Sequence, residues 1–230
     1  MKILSLFLVP ALFVQASFAQ ASQPRQALDV YYVAFLRPAP GVKPLAAADQ
    51  QLLEMRHTDN LHHLYDSGIL VAAGPMRDGP GSSTTAITDI LVLKAASRGQ
   101  AERIALLDPL VSEHRSTVDL HVWRGPKGIG DHPPPDDDDK LAPHAVCLYL
   151  KGAKGGSPEH EHWIEREHRE GKLLAAGAVI DENVLAGICI FKTSSVDEAK
   201  ALAETDPAVK AGHLHTEFHR WMSADGVLPW

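Results

Sequence analysis

Apolar residues recur along this chain in two registers, one suited to strands and one to helices. Unbroken apolar runs at residues 30–36 and 145–150 have the length and the β-branched or aromatic content of strands covered on both faces. Each is followed by a more polar stretch with helical spacing. In the second half that stretch opens with Ser157 as N-cap and Pro158 at the first helical position, and closes at Gly171, a residue suited to the left-handed turn after a helix. In the first half it closes at Gly68, and residues 45–55 are already helix-like. Short Leu-rich strands follow, then third strands at 87–94 and 185–192. Second helices start at Ser97 and Ser195, the latter with Glu198 three residues on as a capping box. They end before an Asp-Pro pair, because proline disfavours helix at the residue before it. A final strand completes each half, so each half reads βαββαβ.

The two halves also repeat in sequence. Gly68-Ile69-Leu70-Val71-Ala72-Ala73-Gly74 returns as Gly171-Lys172-Leu173-Leu174-Ala175-Ala176-Gly177, and Asp108-Pro109-Leu110-Val111 returns as Asp206-Pro207-Ala208-Val209. Each copy ends on a strand tryptophan, Trp123 or Trp221. A repeat of this size is a folding unit, which predicts two homologous modules, at 29–124 and 144–222. Between them, residues 125–143 are rich in Gly, Pro and Asp, the composition of a solvated linker.

In the last strands Val118, Leu120 and Val122 alternate with Asp119, His121 and Trp123; Thr216 and Phe218 alternate with His213, His215, Glu217, His219 and Trp221. Period-two alternation sends one set against the helices and the other to the opposite face. A four-stranded sheet with helices on one side leaves that second face bare, so the modules are expected to close their bare faces on each other within the chain. The interior would be partly polar and would bury both tryptophans. Pairing of whole chains into a homodimer is a further option.

Composition refines this picture at three points. Lys2, an apolar run at 3–14 and Ser17-Phe18-Ala19 have the layout of a cleavable secretory signal over residues 1–19, which implies a secreted or periplasmic protein. No other segment is long and apolar enough to span a membrane, so no membrane association is expected once the signal is removed. The net charge of −7 includes five acidic residues within the linker, Asp131 and Asp136 to Asp139, and there is no basic stripe to neutralise phosphates, which argues against nucleic acid as a partner. Cys147 and Cys189 lie on the first and third strands of module two, expected to be adjacent and parallel. They read as buried, unbridged thiols.

A histidine on the first helix, Gly-x-Leu-(Leu/Val)-x-Ala-Gly, a third strand, a short helix and Asp-Pro-x-Val together resemble the YCII-related family of the dimeric α/β-barrel superfamily, here in two tandem copies. The resemblance implies α+β modules of ferredoxin-like type paired as a barrel. It also implies a histidine–aspartate active site, which falls on His57 and Asp108 in module one and on His160 and Asp206 in module two. Both histidines lie eleven residues before the helix-ending glycine. Known members include a dehydrochlorinase, and superfamily relatives include an isomerase of lactones.

A histidine can carry a proton near neutral pH, and a neighbouring carboxylate fixes its tautomer. The function expected is therefore cofactor-free acid–base chemistry, of isomerase, lyase or dehydrochlorinase type, on a small cyclic or aromatic molecule. Against this stand a purely structural role, since aspartate before proline is common turn chemistry, and a non-catalytic module that binds a small ligand. A periplasmic metal-binding protein is the third reading, prompted by His213, His215, Glu217 and His219. Residues along one strand are spread at about 3.3 Å each, so one ion cannot gather all four, and no metal site is expected. His62, His63, His162 and His168 fall on helices, where exposure is the default.

Overall fold

The computed structural model describes residues 27–78, 87–132, 141–152, 157–181 and 184–229. The proposed signal segment and the Asp136–Asp139 run lie outside the described residues. Module one contains β1 (Leu28–Pro38), α1 (Ala47–Asp66), β2 (Leu70–Pro75), β3 (Asp89–Leu93), α2 (Arg98–Leu106), α3 (Pro109–Ser112) and β4 (Ser116–Pro126). Module two contains β5 (Leu141–Lys151), α4 (Pro158–Arg169), β6 (Leu173–Val179), β7 (Leu185–Phe191), α5 (Val196–Ala203), α6 (Pro207–Lys210) and β8 (Leu214–Ala224). Both are α+β. The short helices α3 and α6, absent from the sequence reading, begin at the proline of each Asp-Pro pair, where the fixed φ suits a first helical residue. Among the described residues no helix is long and apolar enough to cross a membrane.

Local signals act much as the sequence implies. Gly68 and Gly171 sit at φ +70° just past their helices. The hydroxyls of Ser97 and Ser195 accept from the Gln100 and Glu198 amides at 3.2 Å. Ser157 holds the N-cap position of α4, but its hydroxyl donates to Glu159 at 2.5 Å instead of capping.

The eight strands form one sheet in the order β2-β3-β1-β4-β6-β7-β5-β8. Every neighbouring pair is antiparallel, including β5 with β7, where Cys147 stands opposite Cys189. This corrects the expectation that first and third strands run parallel. A helical crossover returns the chain in the same direction to a strand two places away, so the strand between runs opposite. Both cysteines are free thiols, and burial raises both above the usual thiol range.

Two seams turn this sheet into a barrel. At one, β4 pairs with β6 through Trp123↔Val179 and Arg124↔Ala178. At the other, Met76 bridges to Trp221, the Arg77 amide donates to the Arg220 carbonyl at 2.8 Å, and the Trp221 indole donates to the Gly74 carbonyl at 3.0 Å. The glycine ending each repeated motif explains itself here. A Cβ on Gly74 would collide with the Met222 carbonyl, and one on Gly177 with the Arg124 carbonyl.

The barrel interior is a single apolar cluster drawn from both modules, with Tyr31, Phe35, Trp123, Val146, Leu174, Ile190 and Trp221 among its members. Trp123 and Trp221 are each 1% exposed, so the bare faces do close on one another. The interior is more apolar than the alternation predicts, with His121 and His219 among its few polar members. Two further clusters lie between the sheet and the helices, one in each module. The candidate site grows from these outer layers.

Candidate functional site

Each Asp-Pro turn builds half a site. Asp108 accepts the Leu110 amide on Oδ1 at 2.9 Å, capping α3, while its Oδ2 lies 2.8 Å from His57 Nδ1. Asp206 repeats this, with the Ala208 amide at 2.9 Å on Oδ1 and His160 Nδ1 at 2.6 Å from Oδ2. Both aspartates are fully buried, so each carboxylate is held by the fold and in turn holds an imidazole. The capping role and the pairing role, alternatives from the sequence, are performed by different oxygens of one group. An ionised carboxylate against Nδ1 places the ring proton there and leaves Nε2 with its lone pair. For neither histidine does Nε2 have a partner among the described residues.

The surroundings of the two pairs differ. The His57 side chain is 10% exposed and that of His160 is 22%. Around His57 the neighbours are polar. Asn60 donates to Asp108 Oδ2 at 3.2 Å, and Asp89 lies close enough to act on the imidazole by charge. Burial works to lower the His57 pKa, but the hydrogen bond and charge of Asp108 outweigh it, and the net shift is upward. Burial also raises the Asp89 carboxyl above the usual carboxylate range. Around His160 the neighbours are aromatic. The Tyr149 ring meets it edge-on at 4.9 Å between centroids, and Trp163 is stacked at 6.5 Å. Trp163 donates through Nε1 to Thr205 at 2.9 Å, tying α4 to the residue before Asp206.

Four of these neighbours were not singled out from the sequence. Asn60 and Trp163 could have been, since each lies three residues after its histidine and so shares its helix face. Asp89 and Tyr149 approach from strands, which helix spacing cannot reveal.

The histidines of the last strand are placed otherwise. His213 precedes β8, His215 is exposed, and His219 is fully buried, so they do not converge. His219 lies between two carboxylates, Nδ1 at 2.7 Å from Asp78 and Nε2 at 3.0 Å from Glu217. Asp78 also accepts the Arg220 amide at 2.7 Å, which makes this cluster part of the seam between modules. In module one His121 faces Asp119 at 3.3 Å and the Phe35 ring at 4.8 Å. Among the described residues no group of three His, Cys, Asp or Glu side chains is arranged to hold a metal ion. His62, His63 and His162 are exposed, and His168 is half-buried. A pocket lined by His144, Leu174, Lys192, Asp225 and Leu228 opens on the barrel side of the sheet, away from both His–Asp pairs.

Comparison with known proteins agrees with this architecture. The profile of the YCII-related domain matches residues 144–221. No curated protein matches the sequence. Among solved structures, TA0507, provisionally assigned as a chlorite dismutase, superposes with a TM-score of 0.58 at 9% identity, over 86% of this chain and 96% of its own. A variant of the chlorite dismutase of Candidatus Nitrospira defluvii gives 0.54 at 10% identity, over 86% and 92%. A heme-binding protein of Thermus thermophilus gives 0.52 at 10% identity, over 87% and 94%. At such identities the likeness concerns the fold alone. Residues 144–221, which carry His160 and Asp206, thus match the YCII-related domain, and the whole chain has the fold of an α/β barrel built from two ferredoxin-like halves in one polypeptide.

Proposed function

We propose that this protein is an exported acid–base enzyme that moves a proton on a small cyclic or aromatic molecule, with His160 as the proton-transfer group and Asp206 as its orienting partner. The observation that carries this reading is the repeated pair. In both modules a buried carboxylate, fixed by its own helix turn, holds Nδ1 of an imidazole whose Nε2 has no partner among the described residues. In such a pair the neutral imidazole takes a proton from an acidic C–H or phenolic O–H through Nε2. The imidazolium formed is stabilised by the carboxylate. Returning that proton to a different atom of the same molecule completes an isomerisation. If the carbanion first expels a leaving group such as chloride, the result is an elimination. His160 is the more open of the two histidines, which favours module two as the working copy.

A heme, the group named for the Thermus thermophilus protein, does not fit either packed layer of this chain. The space between helices and sheet in module two is filled by Tyr149, Trp163 and Phe191, none more than 1% exposed, and the barrel interior by Trp123 and Trp221. A porphyrin would have to displace several of these rings. The competing reading is a ligand-binding module in which the aspartates act only as caps. It is supported by the Oδ1 bonds to Leu110 and Ala208.

Small lactones and halogenated phenols are the substrates to screen. With a substrate found, the His57→Ala, His160→Ala double variant is expected to lose about 10²–10⁴-fold in rate, the usual contribution of a general acid–base group, with its fold intact. Undiminished activity in the double variant removes the proposal. Export is tested by the N-terminus of the protein recovered outside the cytoplasm, expected at Gln20.

A further inference from the structure

The hydroxyl of Tyr149 is one of three buried polar atoms of module two, with His213 Nδ1 and Ser223 Oγ, that have no hydrogen-bond partner among the described residues. Tyr149 is 1% exposed, on the fifth strand, and its Oη has no hydrogen-bond partner among the described residues. An unpaired buried hydroxyl costs about 1–3 kcal/mol, so a fold that only needed a ring here would be better served by phenylalanine. Module one shows that the fold does not need the phenol. Tyr31↔Trp123 and His144↔Trp221 are equivalent pairs in the two registers, which makes Leu36 the counterpart of Tyr149, and Leu36 is fully buried.

The position of Tyr149 ties it to the His160 site. Its ring meets the His160 imidazole edge-on at 4.9 Å, and the Asp206 carboxylate that holds His160 also acts on the phenol by charge. The ring is packed between sheet and helices in the cluster that includes Trp163. Tyr149 is thus more deeply buried than the imidazole beside it, whose side chain is 22% exposed.

Resting on the function proposed above, we infer that Tyr149 is a binding residue of the His160 site, its hydroxyl donating to an oxygen of the bound molecule. Burial pushes the Tyr149 phenol far above its ordinary range, so it stays a neutral donor throughout the working pH range. A neutral donor is matched to an oxygen that gains negative charge when His160 removes a proton. The ligand class is therefore a small ring bearing a phenolic or enolic oxygen. Module one, with Leu36 at the matching position and Asp89 near its histidine, would not favour such an anion.

4-Nitrophenol is the probe, because its absorbance reports both binding and ionisation. Wild type is expected to bind it saturably and to lower its apparent pKa. Tyr149→Phe is expected to weaken binding about 10-fold or more and to reduce that pKa shift, the effect of losing a hydrogen bond to a charged oxygen. The same variant should unfold at the wild-type temperature or higher, since the hydroxyl it removes is unpaired. A lower unfolding temperature would assign the hydroxyl a structural bond and overturn the inference. Wild-type binding in Tyr149→Phe with weakened binding in His160→Ala would also overturn it, while leaving the His160 reading in place. Undiminished binding in His160→Ala, or no saturable binding by wild type, would remove that reading and this inference with it.

Discussion

The two modules hold the same histidine–aspartate pair by the same device and then surround it differently. In module one the pair is more deeply covered, and its further neighbours are Asn60 and Asp89. In module two it is more open and edged by Tyr149 and Trp163. The shared part is dictated by local geometry. An aspartate before a helix-starting proline must satisfy the following amides, and its second oxygen is left for a side chain on the neighbouring helix. The part that differs comes from one helix residue and one strand residue in each module, Asn60 with Asp89 and Trp163 with Tyr149, which local geometry left free to diverge. A duplicated fold can therefore keep a chemical pair in both copies while only one retains access. Substitution in one copy at a time is the way to break or sharpen this comparison.

The largest effect is expected on rate. With a substrate identified, His160→Ala should lose about 10²–10⁴-fold in kcat/KM, while His57→Ala should stay within about 10-fold of wild type. Equal losses would show two working sites. A larger loss in His57→Ala would reverse the assignment.

Next comes stability. Asp206→Ala and Asp108→Ala each remove a helix cap and leave a histidine Nδ1 without its acceptor. Each should lower the free energy of unfolding by about 2–4 kcal/mol, combining a lost cap with a buried group left unpaired. Asp108→Ala should cost more, because Asn60 also loses its partner. Chemical denaturation of the two variants side by side reads the difference. Losses below the cost of a cap alone would mean that the pairs contribute nothing to folding.

Much of this architecture was legible in the sequence because it rests on short-range signals. The capping glycines, the Asp-Pro turns and the period-two last strands specify where elements start and stop, and the repeat specifies that there are two units. The pairing of His57 with Asp108 and of His160 with Asp206 was reachable only through the family resemblance, since 51 and 46 residues separate the partners. Three things were not legible. The direction of β7 against β5 follows from the crossovers, not from either strand's own residues. The helices α3 and α6 are single turns of four residues, too short to leave a periodic pattern. The clamp on His219 uses Asp78 from the other module, a contact 141 residues away that only barrel closure creates.

Barrel closure itself supplies a third test, because the two seams are related but not identical. Gly177→Ala introduces a Cβ against the Arg124 carbonyl, and Gly74→Ala one against the Met222 carbonyl. Overpacking of this kind typically costs about 1–3 kcal/mol. Gly74 also sits at φ +153°, in the region that favours glycine, so its substitution should be the more damaging. Thermal unfolding of both variants decides the order. No loss in either would mean that the seams adjust freely.

The smallest expected effect is on the pH dependence of stability, and it belongs to module one. The His57 pKa is raised in the folded chain, burial opposing and Asp108 prevailing. A group whose folded pKa lies above its unfolded value adds stability that is fully present below the unfolded value, about 6.5 for histidine, and that is lost as pH rises through the folded value. Asp89 obeys the same sign in a lower window, because burial raises its carboxyl. Its contribution is complete below about 3.9 and fades as pH rises above that. Wild-type unfolding free energy should therefore fall slightly from about pH 6.5 upward through a step that His57→Gln removes. Asp89→Asn should remove the lower step and also reduce the upper one, because the Asp89 charge helps to raise the His57 pKa. The upper step is reduced by burial, which opposes Asp108 at His57. Urea unfolding in half-unit pH increments resolves it, and a step of opposite sign would mean that burial, not Asp108, governs His57.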